Sequence, residues 1–401
     1  MPTRSLPGRP EALSPSSEAF IGRSGRLPVA FGPRCPEREA GEVETVAFET
    51  FELAPGWTRP CARAKLSADV RQSLLIVPLE SRRAISTGPQ PVEAERMDDE
   101  GVLDAWAAEW LAANPYISAP LEELLPEVLE LGRSPVGAPP TREIANVADE
   151  FVDSIPIRIY QGDGPPTGLV VYFHGGGFVI GSIGLMDNVA RELAHGSGAV
   201  VVAVEYRLAP EHPYPAALDD CETVTRWALA NAGRFGLLPA SVAIAGESAG
   251  GNLCAGLTLR LRVAGDVSLA GQVLIYPAVA GSIGTFPSRE AFDGLVLNHA
   301  TTALYWQAYC GGQDLNGDPC AAPLWAESLK GLSPALVVLG GCDVLRDEGR
   351  AYANRMRDEG VEVELVSYPG QPHGFINLGF PAAEPAFARI GDWLRSRLAS
   401  V

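Results

Sequence analysis

Residues 241–264 read SVAIAGESAGGNLCAGLTLRLRVA, and this stretch decides the fold. Its apolar start, 241–245, is typical of a buried strand, and Ala249–Ala264 has apolar residues at helical spacing. Between them, GESAG at 246–250 is a G-x-S-x-G motif at a strand-to-helix turn. Such a turn can present a serine as a nucleophile, and small residues tolerate its strained backbone. A glycine-rich turn in which the serine only caps the helix is the alternative.

Strand and helix patterns alternate on both sides of this stretch. Strands are expected at 168–173, 199–205, 241–245, 271–276, 335–339 and 361–368, with helices at about 187–195, 216–232, 346–359 and 383–398. Most of the strands are continuous apolar runs, which indicates burial on both faces, whereas the last one alternates apolar residues with glutamates, as an edge strand does. The pattern predicts an α/β fold whose mostly parallel central sheet is flanked by helices.

The first part of the chain differs in composition from the rest. Residues 1–96 are rich in proline and nearly neutral, whereas the whole chain of 401 residues carries a net charge of −18. A proline-, serine- and glycine-rich segment without apolar periodicity predicts a largely disordered N-terminal extension. We therefore expect the folded domain at 97–401, with Met97 as its candidate start. The stretch 281–330 interrupts the strand–helix alternation and is a candidate lid or cap.

Charge and composition also narrow the classes of partner. An acidic chain without a basic cluster binds nucleic acid poorly and is not attracted to an anionic membrane. No apolar run approaches the roughly 18 residues of a membrane span, and the N-terminus lacks the apolar core of a signal peptide. The seven cysteines form no C-x-x-C pairs. This argues against a disulfide framework or a metal site and predicts a reducing, cytoplasmic location.

The loop after the first predicted strand is rich in glycine and reads HGGGF at 174–178. Consecutive glycines let backbone amides approach a ligand and face an oxyanion. The amide of Ala249, the residue after Ser248, would be a further donor. A flexible or phosphate-binding loop is the alternative, but neither a P-loop pattern nor G-x-G-x-x-G is present here, which disfavours nucleotide binding.

A serine nucleophile needs a base, and the base needs an acid that orients it. Of the five histidines, His373 lies in a loop just after the last predicted strand, and Asp343 follows the strand before it. Open α/β sheets place their sites at the carboxyl ends of strands, which favours both residues. Asp347 and Glu348 are competing acids, but they fall at a helix start, where the helix dipole alone accounts for carboxylates. The order Ser248, Asp343, His373 is that of α/β-hydrolases.

Five segments together resemble the bacterial hormone-sensitive-lipase family of esterases. They are HGGGF at 174–178, EYRLAPEHPYPAALDD at 205–220, GESAGGN at 246–252, CDVLRDE at 342–348 and YPGQPHGF at 368–375. The likeness covers about 97–401, and the spacing of the segments is also similar. Residues 1–96 have no counterpart in the family, so no role is assigned to them.

The resemblance implies an α/β-hydrolase fold and specific site residues. The nucleophile, acid and base would be Ser248, Asp343 and His373, and the oxyanion donors would be the backbone amides of Gly175, Gly176 and Ala249. It also implies a helical cap from about 97–140 and part of 281–330, and a homodimer through the edge strand 361–368. Glu247 stands where the family usually has Asp or Thr, and Val344 replaces a common proline; neither change is expected to touch the chemistry.

The motifs and the resemblance predict a serine carboxylesterase. It would hydrolyse short- to medium-chain acyl esters through a Ser-His-Asp triad and an acyl-enzyme, without a metal or an organic cofactor. An amidase, a deacetylase or a lactonase would use the same machinery, so the motifs leave these open. A non-catalytic ligand receptor on this fold is disfavoured because all three triad positions are intact. A true lipase is disfavoured because the sequence shows no amphipathic lid pattern.

Overall fold

The computed structural model of the chain describes residues 101–118, 121, 126–265 and 267–398. The predictions for residues 1–96, including the extension and the start at Met97, lie outside the described residues.

A single eight-stranded sheet organises the fold. Its strands are β1 (Asn146–Val152), β2 (Ile155–Gln161), β3 (Leu169–Phe173), β4 (Val200–Val204), β5 (Val242–Glu247), β6 (Gln272–Ile275), β7 (Ala335–Cys342) and β8 (Val363–Pro372). They are ordered β1-β2-β4-β3-β5-β6-β7-β8. β2 pairs antiparallel with both β1 and β4, whereas all other neighbours are parallel.

Helices cover both faces of this sheet. The α-helices of the described residues are α1 (Ala105–Ala113), α2 (Pro126–Gly132), α3 (Asp187–Ser197), α4 (Ala216–Asn231), α5 (Ala249–Ala264), α6 (Pro287–Ala291), α7 (His299–Cys310), α8 (Arg346–Asp358) and α9 (Ala383–Leu398). One apolar cluster contains residues of α4, α5 and α8, and a second contains residues of α3 and α9. Successive side chains of a strand point to opposite faces of the sheet. Since helices cover both faces, every residue of β3 and β4 is buried. The predicted α/β fold with a mostly parallel, helix-covered sheet is confirmed.

The antiparallel hairpin of β1 and β2 is not among the predicted strands. β1 reads NVADEFV and lies at the edge of the sheet, and all but its last position are exposed or half-buried. It therefore lacks the continuous apolar run that marks the central strands. The turn between the two strands includes Asp153 at a φ of +53°, a conformation that Asp adopts more readily than most residues.

The two segments predicted to form a cap contact each other. The Val296 N–H donates to Ser118 Oγ at 3.2 Å, and the Leu121 N–H donates to Thr301 Oγ1 at 3.0 Å. The N-terminal segment and the 281–330 insertion thus form one assembly, as a cap requires; its role as a cap stays a prediction. In the part of the chain that the structure describes, we find no helix with the length and apolar composition to cross a bilayer.

Candidate active site

Ser248 occupies a strained turn between β5 and α5. Its φ is +53° and its ψ is −116°, a conformation rarely adopted by residues other than glycine. The turn closes so tightly that a Cβ on Gly246 would lie 2.2 Å from the Gly250 carbonyl oxygen. The small residues of the GESAG motif are therefore required by the geometry, which leaves the serine partly exposed at the end of a buried strand.

Strands β7 and β8 bring two more side chains to this turn. Asp343 directly follows β7, and His373 directly follows β8. Both strands run parallel to β5, so their carboxyl ends meet at one edge of the sheet. His373 Nε2 lies 3.0 Å from Ser248 Oγ, and His373 Nδ1 lies 2.8 Å from Asp343 Oδ2. The structure thus brings together the three side chains that the sequence singled out.

The surroundings of these side chains suit proton transfer. Asp343 is fully buried, and its second carboxylate oxygen accepts the Leu345 N–H at 2.8 Å. A carboxylate next to Nδ1 of His373 favours the tautomer with the proton on Nδ1. Nε2 is then free to accept the proton of the Ser248 hydroxyl.

The competing acids are engaged elsewhere. Asp347 Oδ2 accepts the Ser288 N–H at 2.9 Å. Glu348 Oε1 accepts the Val279 N–H at 2.9 Å, and its other oxygen pairs with Arg289 at 2.5 Å. Both carboxylates therefore bind the segment between β6 and α7 rather than the imidazole of His373.

The glycine loop at 174–178 packs against the serine turn. The Gly175 N–H is directed at Glu247 Oε1, 3.4 Å away, which differs from the expectation that it faces an oxyanion. Gly176 has a φ of +119°, and a Cβ there would lie 2.1 Å from the Ile180 carbonyl oxygen. Ala249 begins α5, and the first amides of a helix have no acceptor within it. The oxyanion roles of Gly176 and Ala249 stay predictions, and the amide of Gly175 is directed into the protein.

His174 supports the loop through its ring and its backbone. Its Nδ1 lies 2.7 Å from the Gly175 carbonyl oxygen, and its ring stacks on Tyr206 with 4.2 Å between centroids. The Tyr206 hydroxyl donates to the His174 carbonyl oxygen at 2.6 Å. Burial lowers the pKa of His174, so the ring stays neutral.

Tyr276 is a neighbour of the imidazole that sequence reasoning missed. Its ring lies edge-on to His373, with 4.8 Å between centroids and 61° between the planes. In the sequence it is only the last apolar residue of the predicted strand 271–276, so periodicity gives no signal of this contact. Within the described ranges, no cluster of three His, Cys, Asp or Glu is placed to hold a metal ion.

Comparison with known proteins gives the family. The family described as alpha/beta hydrolase fold matches residues 170–377. The chain belongs to this family. Esterase LipI of Mycobacterium tuberculosis is 35% identical over 300 residues, which are 72% of this chain and 92% of LipI. Carboxylesterase NlhH of the same organism is 37% identical over 257 residues, 62% of this chain and 80% of NlhH.

A solved structure supports the same assignment. The esterase of Pyrobaculum calidifontis superposes with a TM-score of 0.61 at 38% identity, covering 63% of this chain and 86% of that one. The predicted resemblance to esterases of the hormone-sensitive-lipase type, within the α/β-hydrolase superfamily, is confirmed.

Proposed function

We propose that this protein is a serine carboxylesterase that hydrolyses short- to medium-chain acyl esters. The observation that carries the proposal is the continuous contact from Ser248 Oγ through His373 to Asp343, at 3.0 Å and 2.8 Å. The carboxylic ester hydrolase class is supported by the family and by relatives named esterase and carboxylesterase at 35% and 37% identity.

Acylation begins at the serine. His373 Nε2 takes the hydroxyl proton as Ser248 Oγ attacks the ester carbonyl carbon. Asp343 holds the imidazole in the required tautomer and stabilises the imidazolium that forms. His373 then gives this proton to the leaving alcohol, so the C–O bond breaks and an acyl-enzyme remains on Ser248.

Deacylation repeats these steps with water. His373 takes a proton from the attacking water and returns it to Ser248 Oγ as the acid product leaves. In both steps the negative charge on the carbonyl oxygen faces the amides of Gly176 and Ala249. Such a donor contributes about 3–4 kcal/mol to lowering the barrier where it has been measured.

The test is the Ser248→Ala variant with a short-chain chromogenic ester. We expect turnover to fall to background while the circular dichroism spectrum and the thermal unfolding midpoint remain those of the unmodified protein. Full activity in this variant would contradict the assignment. A substrate panel that spans acyl length and includes matched amides and lactones then decides between esterase and the other acyl-transfer activities.

A further inference from the structure

Glu247 is a buried carboxylate directly beside the serine, and the proposed chemistry does not use it. Its side chain has no exposed surface. Its Oε1 accepts the Tyr172 hydroxyl at 2.9 Å, and its Oε2 accepts the Tyr276 hydroxyl at 2.7 Å. Burying a carboxylate is costly unless such donors compensate, so a fully buried acid at this position calls for a reason beyond packing.

The first oxygen of Glu247 ties the serine turn to the glycine loop. Oε1 also receives the Gly175 N–H at 3.4 Å, three residues after Tyr172 in the chain. A Cβ on Gly175 would lie 3.2 Å from Glu247 Cγ, so the loop backbone rests directly on this side chain. Moving the carboxylate would therefore move the loop whose next amide, that of Gly176, is proposed to face the oxyanion.

The second oxygen ties the same turn to the base. The Tyr276 ring flanks the imidazole of His373, and Tyr276 has a φ of +34°, which is unusual for an aromatic residue. A strained backbone persists only where its surroundings hold it in place. The hydrogen bond to Glu247 Oε2 is one of the contacts that does so.

Both tyrosines remain donors over the working pH range. Burial, and next the negative charge of Glu247, raise the pKa of Tyr172 and of Tyr276 well above the usual value. The phenols therefore keep their protons, and the two hydrogen bonds to the carboxylate persist.

We propose that Glu247 is a positioning residue. Its carboxylate holds the glycine loop and the Tyr276–His373 pair in their positions relative to Ser248. The residue that precedes the nucleophile thus sets the relative position of nucleophile, base and oxyanion donors. From the sequence alone, the exchange of the family's usual Asp or Thr for Glu247 was not expected to touch the chemistry. The contacts come from Tyr172 on β3 and from Tyr276, which directly follows β6, and both are remote in the sequence. The proposal rests on the proposed function.

The experiment compares Glu247→Gln, Tyr276→Phe and the double variant. Glutamine keeps the size of the side chain, but its amide nitrogen cannot accept a tyrosine hydroxyl. Tyr276→Phe leaves the carboxylate intact and removes only the hydroxyl. We expect each single variant to lower kcat by about 10- to 100-fold with little change in KM, by analogy with the loss caused when the hydrogen-bonding partner of a metal ligand is removed. The loss in the double variant should be smaller than the product of the two single losses, because both substitutions disrupt the shared hydrogen bond between Glu247 and Tyr276.

The second readout does not depend on ester turnover. The rate at which an organophosphonate labels Ser248, followed by intact mass, reports the positioning of nucleophile and base directly. Glu247→Gln and Tyr276→Phe should slow it by the same factor as kcat. If the unmodified protein labels but hydrolyses no ester, the proposed function fails and the labelling rates still decide the role of Glu247. If it does not label, both proposals are overturned.

Tyr160→Phe is the matched control. The Tyr160 hydroxyl is buried and donates to a carboxylate oxygen of Asp187 at 2.8 Å. Tyr160 lies on β2, which is separated from β5 by β4 and β3. The Tyr160→Phe variant should lose about as much stability as Tyr276→Phe, but its kcat and its labelling rate should not change. A Tyr276→Phe variant that behaves like this control, destabilised but fully active, would mean that the Glu247 cluster is structural only.

Discussion

At the scale of single residues, the backbone at Gly246 controls whether the serine turn can form. A Cβ there would lie 2.2 Å from the carbonyl oxygen of Gly250, and neither backbone segment can move without opening the turn at Ser248. We expect Gly246→Ala to lower the free energy of unfolding by about 1–3 kcal/mol, as overpacking does, and to lower kcat. Urea denaturation and ester turnover measure the two effects.

The control for this substitution is Gly233→Ala. A Cβ on Gly233 would meet no atom within 4 Å, so its stability should stay within about 0.5 kcal/mol of the starting protein. Equal losses in the two variants would show that the close contact at Gly246 is not the cause.

The pH dependence of activity also belongs to the residue scale. His373, the proposed base, can accept the serine proton only when its imidazole is neutral, so a histidine that gains a proton as the pH falls would lower kcat. Burial lowers the pKa of His174, which favours its neutral ring, so we expect its titration not to set the pH dependence of kcat. A pH–rate profile of His174→Asn should keep its midpoint even if kcat falls. A midpoint that disappears in this variant would assign the titration to His174 instead.

At the scale of elements, α1 anchors the segment that carries His373. The Asp104 N–H, at the start of α1, donates to the Gly370 carbonyl oxygen at 3.0 Å. Trp106 and Trp110 of the same helix contact the ring of Phe380, with centroids 4.8 Å and 5.0 Å away. The helix therefore holds the chain on both sides of His373, which couples the predicted cap to the proposed base.

Gly370→Ala tests this coupling against Gly360→Ala. Both glycines have a left-handed φ, +70° and +82°, and alanine there costs about 1–2 kcal/mol. Only at position 370 would the new Cβ meet the Asp104 backbone, 2.7 Å from its nitrogen; at position 360 nothing lies within 4 Å. The strained backbone should lower the free energy of unfolding of both variants by similar amounts. Only Gly370→Ala should also lower kcat. Unchanged turnover in Gly370→Ala would show that α1 does not position the base.

The ends of β7 and β8 show where local patterns mislead. The sequence predicts strands at 335–339 and 361–368, but the structure extends them to Ala335–Cys342 and Val363–Pro372. Glycines and prolines in these extensions are typical of turns, yet Gly340 pairs with Tyr368, and Cys342 pairs with Pro372 across an irregularity. Pairing between strands overrides the local turn signal here and carries each strand to the residue just before Asp343 or His373.

At the scale of the whole molecule, β8 forms one edge of the sheet. An edge strand presents backbone groups that can pair with another chain. The homodimer expected through 361–368 stays a prediction, and sedimentation equilibrium over a range of concentrations measures it. Backbone amides of Val363–Pro372 should become more protected from hydrogen exchange as the dimer forms. A monomer at all concentrations, or protection that does not depend on concentration, would contradict the prediction.

Local sequence determines the elements of this protein, because apolar periodicity and turn residues act within a few neighbours. The alternating strands and helices, and the strained turn at Ser248, could be predicted because their causes lie in contiguous residues; α5 and α9 occupy the predicted ranges. The pairing of Ser248 with His373, which is 125 residues further along the chain, was predicted from the places of both residues at strand ends, and the resemblance to a family pointed to the same pair.

Only the tertiary structure decided what surrounds these residues. The direction of the Gly175 amide, the burial of Glu247 and the edge-on contact of Tyr276 with His373 all arise between separate strands. Such contacts depend on the register and order of β3, β5, β6 and β8 in one sheet. Periodicity along the chain indicates which faces of a strand are buried, but the order and the neighbours of these strands are decided by packing between segments that are remote in the sequence.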